Sequence, residues 1–153
     1  MSALELKIPP PVVALIVALL MWLAAIATDS WDVRVDYRIY AALALALCGT
    51  SIRLAAQITF WRANTTVNPV RPGDTSAIVS SGVYRHSRNP MYIGRAVQLL
   101  GWAAFLASPV AIALVSLYLM YINRFQVPAE ERALLARFGA AYEAYQGQVP
   151  RWL

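Results

Sequence analysis

The residues best suited to chemistry lie close together in one short segment, 81–94, whose surroundings are apolar. The segment reads SGVYRHSRNPMYIG and combines cationic, aromatic and amide side chains. Guanidinium groups such as those of Arg85 and Arg88 recognise carboxylates and phosphates. A cationic turn at the edge of a membrane helix predicts a site for an anionic ligand. A basic loop that only fixes membrane topology would carry the same charge, and charge alone does not separate the two interpretations.

A second polar group follows a later apolar run, where Glu130 and Glu131 come just after Pro128. An arginine can bind a carboxylate, a glutamate can accept from ribose hydroxyls or an amine, and an aromatic face favours a sulfonium. The two segments together therefore suit a zwitterionic, ribose-bearing cofactor, although the residues alone do not select one cofactor.

Several other chemistries lack the residues they need. The sequence has one histidine, His86, and one cysteine, Cys48, so we expect no metal site and no intrachain disulfide. We expect Cys48 to be a small buried hydrophobe and His86 to be a solvated loop residue. There is no nucleophile-base-acid arrangement, phosphate-binding glycine loop or dinucleotide fingerprint.

The composition is that of an integral membrane protein with one domain, residues 1–153. Of 153 residues, 59% are hydrophobic and 14% are charged, and the mean hydropathy is +0.52. Soluble domains are typically closer to one quarter charged. The net charge of +5 fits arginines near anionic headgroups, and it is not gathered on a soluble module as nucleic-acid binding would require.

The predicted fold is all-α, with about four transmembrane helices, a C-terminal helical hairpin and a cytoplasmic amphipathic helix. We place two N-terminal helices in 1–61, and the cofactor-binding loop, hairpin and C-terminal helix in 62–153. The four predicted spans are Val12–Ala27, Tyr37–Trp61, Pro90–Ala107 and Pro109–Phe125. Ser108-Pro109 leaves room only for a tight turn, so the last two spans should form an antiparallel hairpin.

The C-terminal segment has helical spacing from Pro128 to Tyr145, which predicts one amphipathic helix of about 18 residues. Gly147 and Pro150 should end it. We expect the helix to lie along the inner membrane face or to cap the bundle. The arginine-rich segments 62–88 and 124–153 then share one side, which places both termini and the polar site in the cytoplasm.

Polar residues also interrupt the predicted spans. Arg53 and Gln57 lie one turn apart on one face of the second helix, and Arg53 could either snorkel to the interface or face an interior polar site. Arg95 and Gln98 lie inside the third helix, where neither should face lipid.

The sequence resembles the isoprenylcysteine carboxyl methyltransferase family, and phospholipid methyltransferases share much of the pattern. The resemblance covers roughly residue 64 to the C-terminus, and the first two helices match only as generic membrane spans. The motifs that carry it are Gly82-Val83-Tyr84-x-x-x-Arg88-Asn89-Pro90-x-Tyr92-x-Gly94 and, after the hairpin, Glu130-Glu131-x-x-Leu134-x-x-x-Phe138-Gly139-x-x-Tyr142-x-x-Tyr145-x-x-x-Val149-Pro150.

The resemblance implies a membrane methyltransferase that uses S-adenosyl-L-methionine, without a Rossmann domain, and transfers the methyl group directly to a lipophilic small-molecule or lipid acceptor. It implies that catalysis comes mostly from positioning and desolvation. The residues it implies as catalytic are Arg88, Asn89 and Glu130. The residues it implies as cofactor-binding are Ile78, Val79, Tyr84, Asn89, Pro90, Met91, Tyr92 and Glu130.

Acceptor-binding residues are less well defined. Asn89 stands where eukaryotic members carry a histidine, and an amide cannot titrate as a base. The family's substrate-binding arginine aligns with Gln126, and Arg124 is the nearest cation. We take Arg53, Arg95, Arg124 and Gln126 as candidate acceptor-binding residues, with no metal.

Three alternatives stay open on the sequence. One is a membrane reductase of the sterol-reductase type that uses NADPH. Another is a phospholipid N-methyltransferase, whose amine acceptor would need a base. A third is a small scaffold that keeps the fold without turnover. The expected partners are the lipophilic acceptor and membrane lipids, without nucleic acid, and a dimer is possible but not required.

Overall fold

The computed structural model describes residues 8–63 and 77–153, and within these ranges every regular element is helical. The turn-rich parts of the long loop, 64–76, lie outside the described residues, as do 1–7. The elements in chain order are α1 (Pro10–Ala27), α2 (Val35–Arg62), a 3₁₀ turn (Gly82–Arg85), α3 (Pro90–Leu106), α4 (Pro109–Tyr121), a π turn (Ile122–Gln126), α5 (Val127–Phe138) and α6 (Ala140–Gln148).

Three helical stretches in the described ranges are long and apolar enough to cross a membrane: Pro10–Ala27, Val35–Arg62 and Pro109–Phe138. The predicted all-helical membrane fold is therefore confirmed. The third predicted span forms α3, which has 17 residues and is about 26 Å long. Because this length is at the short end for a bilayer crossing, a count of four spans remains a prediction.

Close backbone contact joins α2 to α3, and glycine makes it possible. A Cβ atom on Gly94 would lie 2.6 Å from the Gly49 carbonyl oxygen and 2.6 Å from Arg53 Cγ. A Cβ atom on Gly101 would lie 3.0 Å from the Ala42 carbonyl oxygen. Small residues at such crossings let helices pack tightly where lipid supplies no hydrophobic driving force.

The fourth predicted span does not end before Pro128, contrary to the prediction of a new helix there. α4 continues through the π turn into α5, and the Val127 N–H donates to the Ile122 carbonyl oxygen. Proline lacks the N–H that an uninterrupted helix would use, and the wider π turn changes the hydrogen-bond pattern just before it.

The predicted 18-residue amphipathic helix is also wrong as a single element. It breaks at Gly139, which has φ 51° and ψ −128° and ends α5. Residues with a Cβ atom are strongly disfavoured at this backbone conformation. α6 is therefore a separate helix, and its Tyr142 and Tyr145 pack as a buried cluster with Val149.

The main apolar core lies among α1, α3 and α4, around Met21, Ala103 and Tyr118, each 0% exposed. Cys48 is exposed on α2, which corrects the prediction of a buried cysteine. In a membrane helix an apolar outward face meets lipid rather than water, so burial within the protein is not needed there.

Candidate functional site

A cavity of about 320 Å³ opens between the polar turn and the helices around it. Ligand sites commonly start at about 300 Å³ and are mostly apolar, with a few placed polar groups. The walls of this cavity come from α1, α2, the 77–89 segment, α3, α4, α5 and α6. The lining residues are Pro10, Pro11, Arg53, Gln57, Phe60, Ala77, Ile78, Val79, Tyr84, Arg88, Asn89, Met91, Tyr92, Arg95, Tyr118, Glu130, Leu134, Tyr142 and Tyr145.

Glu130 is held at the cavity wall by donors from two helices. The Tyr92 hydroxyl donates to Glu130 Oε1 at 2.5 Å, and Gln126 Nε2 donates to the same oxygen at 2.6 Å. Gln126 is 2% exposed and precedes Glu130 by four residues across the π turn. The carboxylate is therefore fixed in orientation before any ligand binds, as an organised binding site requires.

The 3₁₀ turn Gly82–Arg85 presents Tyr84 to the cavity. The Tyr145 hydroxyl donates to the Tyr84 carbonyl oxygen at 2.9 Å, and the Tyr84 ring meets Phe60 edge-on with centroids 5.2 Å apart. Burial is the main cause that raises the pKa of Tyr84, and burial with the nearby Tyr142 raises the pKa of Tyr145 to about 12. Both phenols therefore stay neutral hydrogen-bonding groups at physiological pH.

Glu131 ties the polar turn to the C-terminal tail. Its carboxylate pairs with Arg88 Nη1 at 2.9 Å and receives Arg151 Nε at 3.1 Å and Nη2 at 2.6 Å. Arg88 lines the cavity, and both its Nε and its Nη1 are buried without a hydrogen bond among the described residues, although Nη1 lies in the ion pair with Glu131. The ion pair with Glu131 holds this guanidinium in place. Its Nε is available to donate a hydrogen bond to a ligand, since buried polar groups are rarely left unpaired.

The tail is also bound through its backbone. The Arg88 N–H donates to the Pro150 carbonyl oxygen at 3.0 Å, while Ser87 Oγ and Asn89 Nδ2 both donate to the Arg151 carbonyl oxygen, at 3.2 and 2.9 Å. The amide donor of Asn89 is thereby engaged in holding the tail. Sequence reasoning placed Asn89 among the catalytic residues and gave no sign of this partner, because the two residues are far apart in the chain.

Arg53 and Arg95 both line the cavity, so neither simply snorkels away from it. Arg53 Nη1 donates to Gln98 Oε1 at 3.3 Å, and Gln98 Nε2 donates to Thr50 Oγ1 at 2.8 Å. Gln98 itself is absent from the lining. It orients Arg53 across the α2–α3 contact instead.

Most of the residues predicted for the site meet in this cavity, although their roles remain predictions. The predicted residues that line it are Arg53, Ile78, Val79, Tyr84, Arg88, Asn89, Met91, Tyr92, Arg95 and Glu130. Pro90 is buried at the start of α3 without lining the cavity, and Gln126 acts through Glu130. Arg124 is exposed, with its guanidinium over the Phe125 ring, and His86 is exposed as expected.

Sequence reasoning missed several lining residues. Tyr142 and Tyr145 belong to the second motif but were not assigned to the site, and Phe60 and Tyr118 were not singled out. Tyr118 carried a usable signal, since it is a polar group within the apolar run of α4. A polar residue in a membrane helix generally faces the protein interior. Among the described residues, no three metal-ligating side chains gather into a group that could hold an ion.

Comparison with known proteins points to one family. Residues 37–141 match the family described as phospholipid methyltransferase, so the match begins within α2 and extends further toward the N-terminus than the motifs did. The chain is similar to a probable protein-S-isoprenylcysteine O-methyltransferase of Oryza sativa subsp. indica, 31% identical over 110 residues, which are 72% of this chain and 58% of that protein.

Two protein-S-isoprenylcysteine O-methyltransferases show the same likeness. The Schizosaccharomyces pombe protein is 28% identical over 72% of this chain and 47% of its own length, and the Rattus norvegicus protein is 29% identical over 74% and 40%. The chain thus spans about half the length of these curated relatives. No solved structure matches the chain at a significant level. The resemblance drawn from the sequence motifs is confirmed.

Proposed function

Because this chain belongs to the phospholipid methyltransferase family, we propose that it is a membrane methyltransferase that uses S-adenosyl-L-methionine. The observation that carries the proposal is the fixed Glu130 carboxylate in a cavity that also holds aromatic rings and an arginine with an unpartnered Nε. We propose a lipophilic acceptor, because three helices that line the site are long and apolar enough to cross a membrane.

The cavity residues fit such a cofactor chemically. Glu130, pre-oriented by Tyr92 and Gln126, would accept hydrogen bonds from ribose hydroxyls or an amine. Arg88 is held by Glu131 through Nη1, and its Nε would donate a hydrogen bond to the carboxylate of the cofactor. Ile78 and Val79 would form the apolar wall beside the adenosine.

S-adenosyl-L-methionine supplies, when bound, an electrophilic methyl group on a cationic sulfur. The chain's own contribution would be to orient its ligands, exclude water and line the site with electron-rich aromatic rings such as that of Tyr84, which suit a cation. No proton donor is needed for a neutral thioether leaving group. A carboxylate acceptor needs no base either, which favours an oxygen acceptor over an amine for this set of residues.

The direct test is calorimetric titration of the purified protein in non-ionic detergent with S-adenosyl-L-methionine and S-adenosyl-L-homocysteine. The informative variant is Glu130→Gln, which removes the charge and keeps the shape. Glu143→Gln is the matched control, because Glu143 is an exposed carboxylate on α6 that does not line the cavity.

We expect saturable binding by the wild type and Glu143→Gln, and at least about tenfold weaker binding by Glu130→Gln, which corresponds to about 1.4 kcal/mol. Folded wild-type protein that binds neither ligand would refute the proposal. Binding of NADPH instead would support the reductase of the sterol-reductase type.

A further inference from the structure

A second cavity lies between the start of α2 and the end of α3, remote from the first. Its volume is about 410 Å³, and its largely apolar lining includes Trp31, Tyr37, Arg38 and Ile112. We call it the α2–α3 groove. Arg38 is the only charged side chain among the described residues that line the groove. It lies about 22 Å along α2 from Arg53 in the wall of the first cavity, so the two cavities are separate sites.

The groove opens at the level of lipid headgroups. Arg38 and Arg62 both belong to α2 and are about 36 Å apart along it, slightly more than the hydrocarbon core of a bilayer, which is about 30 Å thick. Trp31 and Tyr37 at the groove are 52% and 60% exposed, and both residue types are enriched at membrane interfaces. The groove therefore faces the lipid leaflet opposite to the one that Arg62 meets.

Two hydrogen bonds hold the walls of the groove together. The Trp31 N–H donates to the Ala107 carbonyl oxygen at 2.7 Å, and Arg38 Nε donates to the Phe105 carbonyl oxygen at 2.9 Å. Carbonyl groups at the end of a helix such as α3 have no intrahelical donor, which leaves them open to these two partners. The loop before α2 is thereby fixed against α3, and the groove exists before any ligand binds.

The charge of Arg38 has no counter-charge in the part of the chain that the structure describes. Its one side-chain bond is the neutral one to Phe105, and neither Nη atom is paired there. Arg34, one turn earlier, differs because Asp36 pairs with it at 2.8 Å. A guanidinium with two free nitrogen atoms at headgroup level suits a phosphate group.

Negative charge and an open aromatic face lie beside this cation. Asp29 and Asp32 are exposed and form no ion pair among the residues described, and Asp32 stands between the lining residues Trp31 and Val33. The Trp31 ring also makes no aromatic or cation contact within the described ranges. Carboxylates and an indole face together favour an ammonium group. The mouth of the groove therefore matches a headgroup that carries both signs of charge.

We propose that the α2–α3 groove holds one zwitterionic phospholipid as a bound structural lipid. An acyl chain lies in the apolar groove, the phosphate binds Arg38, and the ammonium group lies beside Trp31 and Asp32. This lipid is not the methyl acceptor, and the proposal does not depend on the methyltransferase activity. A phosphatidylglycerol offers the phosphate without the ammonium, and a diacylglycerol lacks both, so each should bind less tightly.

The test is a lipid titration followed by native mass spectrometry of the delipidated protein in non-ionic detergent. The probes are phosphatidylcholine, phosphatidylglycerol and diacylglycerol with the same acyl chains. Each retained lipid adds its own mass, so the spectra give both the number of bound lipids and their affinity. Phosphatidylcholine is the zwitterionic probe because its quaternary nitrogen cannot accept another methyl group.

The variants are Arg38→Gln, which removes the cation, and Ala41→Leu, which fills the groove from an exposed lining position. The matched controls are Arg34→Gln and Ala44→Leu, exposed positions at the same end of the bundle that do not line the groove. None of the four positions lines the first cavity. The denaturation midpoint reports folding, and Ala41→Leu keeps the test available if Arg38→Gln does not fold.

We expect one phosphatidylcholine to bind the wild type about fivefold more tightly than phosphatidylglycerol, since only the former complements both charges. Its affinity should fall about tenfold in Arg38→Gln and about fivefold in Ala41→Leu, and stay within about twofold in both controls. Equal retention of phosphatidylcholine and diacylglycerol by the wild type would overturn the proposal, as would phosphatidylglycerol binding at least as tightly. Unchanged affinity in folded Arg38→Gln or Ala41→Leu would also overturn it. A dimer that Ala41→Leu abolishes would do the same, because a second copy of the chain would then occupy the groove.

Discussion

The Tyr92 hydroxyl donates a 2.5 Å hydrogen bond to Glu130 Oε1, and this bond joins the first turn of α3 to the first turn of α5. The two residues come from the two sequence motifs that carry the family resemblance. The bond therefore explains in physical terms why the motifs belong together. It fixes the carboxylate at the wall of the cavity in which we place the cofactor.

Replacing Tyr92 with phenylalanine removes this donor and keeps the ring. A hydrogen bond to a charged group contributes about 1.5–3 kcal/mol, and Gln126 remains to hold Glu130, so we expect the lower end of that range. The midpoint of thermal denaturation and the affinity for S-adenosyl-L-homocysteine should both fall. Unchanged values of both would show that the bond does not position Glu130. Tyr121→Phe controls for the loss of a buried hydroxyl outside the cavity.

The contact between α2 and α3 should tolerate no added methyl group. Gly94→Ala would place a Cβ atom 2.6 Å from the Gly49 carbonyl oxygen, and such overpacking costs about 1–3 kcal/mol. We expect a lower denaturation midpoint and weaker ligand binding, because Arg53 and Arg95 lie on these two helices. Gly147→Ala is the matched control in α6, where an added Cβ atom would meet no neighbouring atom within 4 Å. Alanine there should be neutral or stabilise by up to about 1 kcal/mol, and equal losses in the two variants would contradict this explanation.

The Glu131 carboxylate should stabilise the tail and the polar turn together. Glu131→Gln leaves Arg88 and Arg151 around a neutral amide, and we expect a loss of about 2 kcal/mol, since the pairs are only partly buried. This corresponds to a midpoint lower by about 4–8 °C in a chain of this size. The Glu143→Gln change, which removes an exposed carboxylate, should move the midpoint by less than about 2 °C. Equal denaturation midpoints for Glu131→Gln and Glu143→Gln would show that the Glu131 ion pairs do not stabilise the tail and the polar turn.

Tyr145→Phe tests the bond that fixes the Tyr84 backbone. Loss of a neutral hydrogen bond to a buried carbonyl oxygen should cost about 1 kcal/mol. The pKa of Tyr145 is raised from about 10 to about 12 by burial and by Tyr142, so its contribution is complete below pH 10 and is lost as the pH rises through 12. The difference in midpoint between wild type and variant should therefore be constant from pH 6 to 9. A difference that changes within that window would show that another group titrates with it.

Hydrophobic runs and turn residues were enough to predict the helical membrane fold. The bounds of α2 and α3 follow closely from the apolar pattern and from Pro90. The two errors near the C-terminus share one cause, which is that proline and glycine signals depend on the hydrogen-bonding context. Pro128 sits inside a continuous helix because of a π turn, and Gly139 breaks a helix whose periodicity continues beyond it.

The site was predictable where the motifs hold lining residues such as Glu130 and Tyr92. It was not predictable where the role depends on a distant partner. Asn89 binds the carbonyl oxygen of Arg151, and Glu131 contacts Arg88 and Arg151 whereas Glu130 contacts Tyr92 and Gln126. Contacts between residues so far apart in the chain cannot be predicted from local sequence spacing.

The most direct test of the account is transfer of isotope-labelled methyl from S-adenosyl-L-methionine. Membranes that contain the wild-type protein, Glu130→Gln or Glu143→Gln would be incubated with the labelled compound, and the organic-solvent extract would be counted. The account predicts label in the extract for the wild type and Glu143→Gln, reduced at least about tenfold for Glu130→Gln. Equal label from all three, or none above membranes without the protein although it binds S-adenosyl-L-methionine, would contradict it.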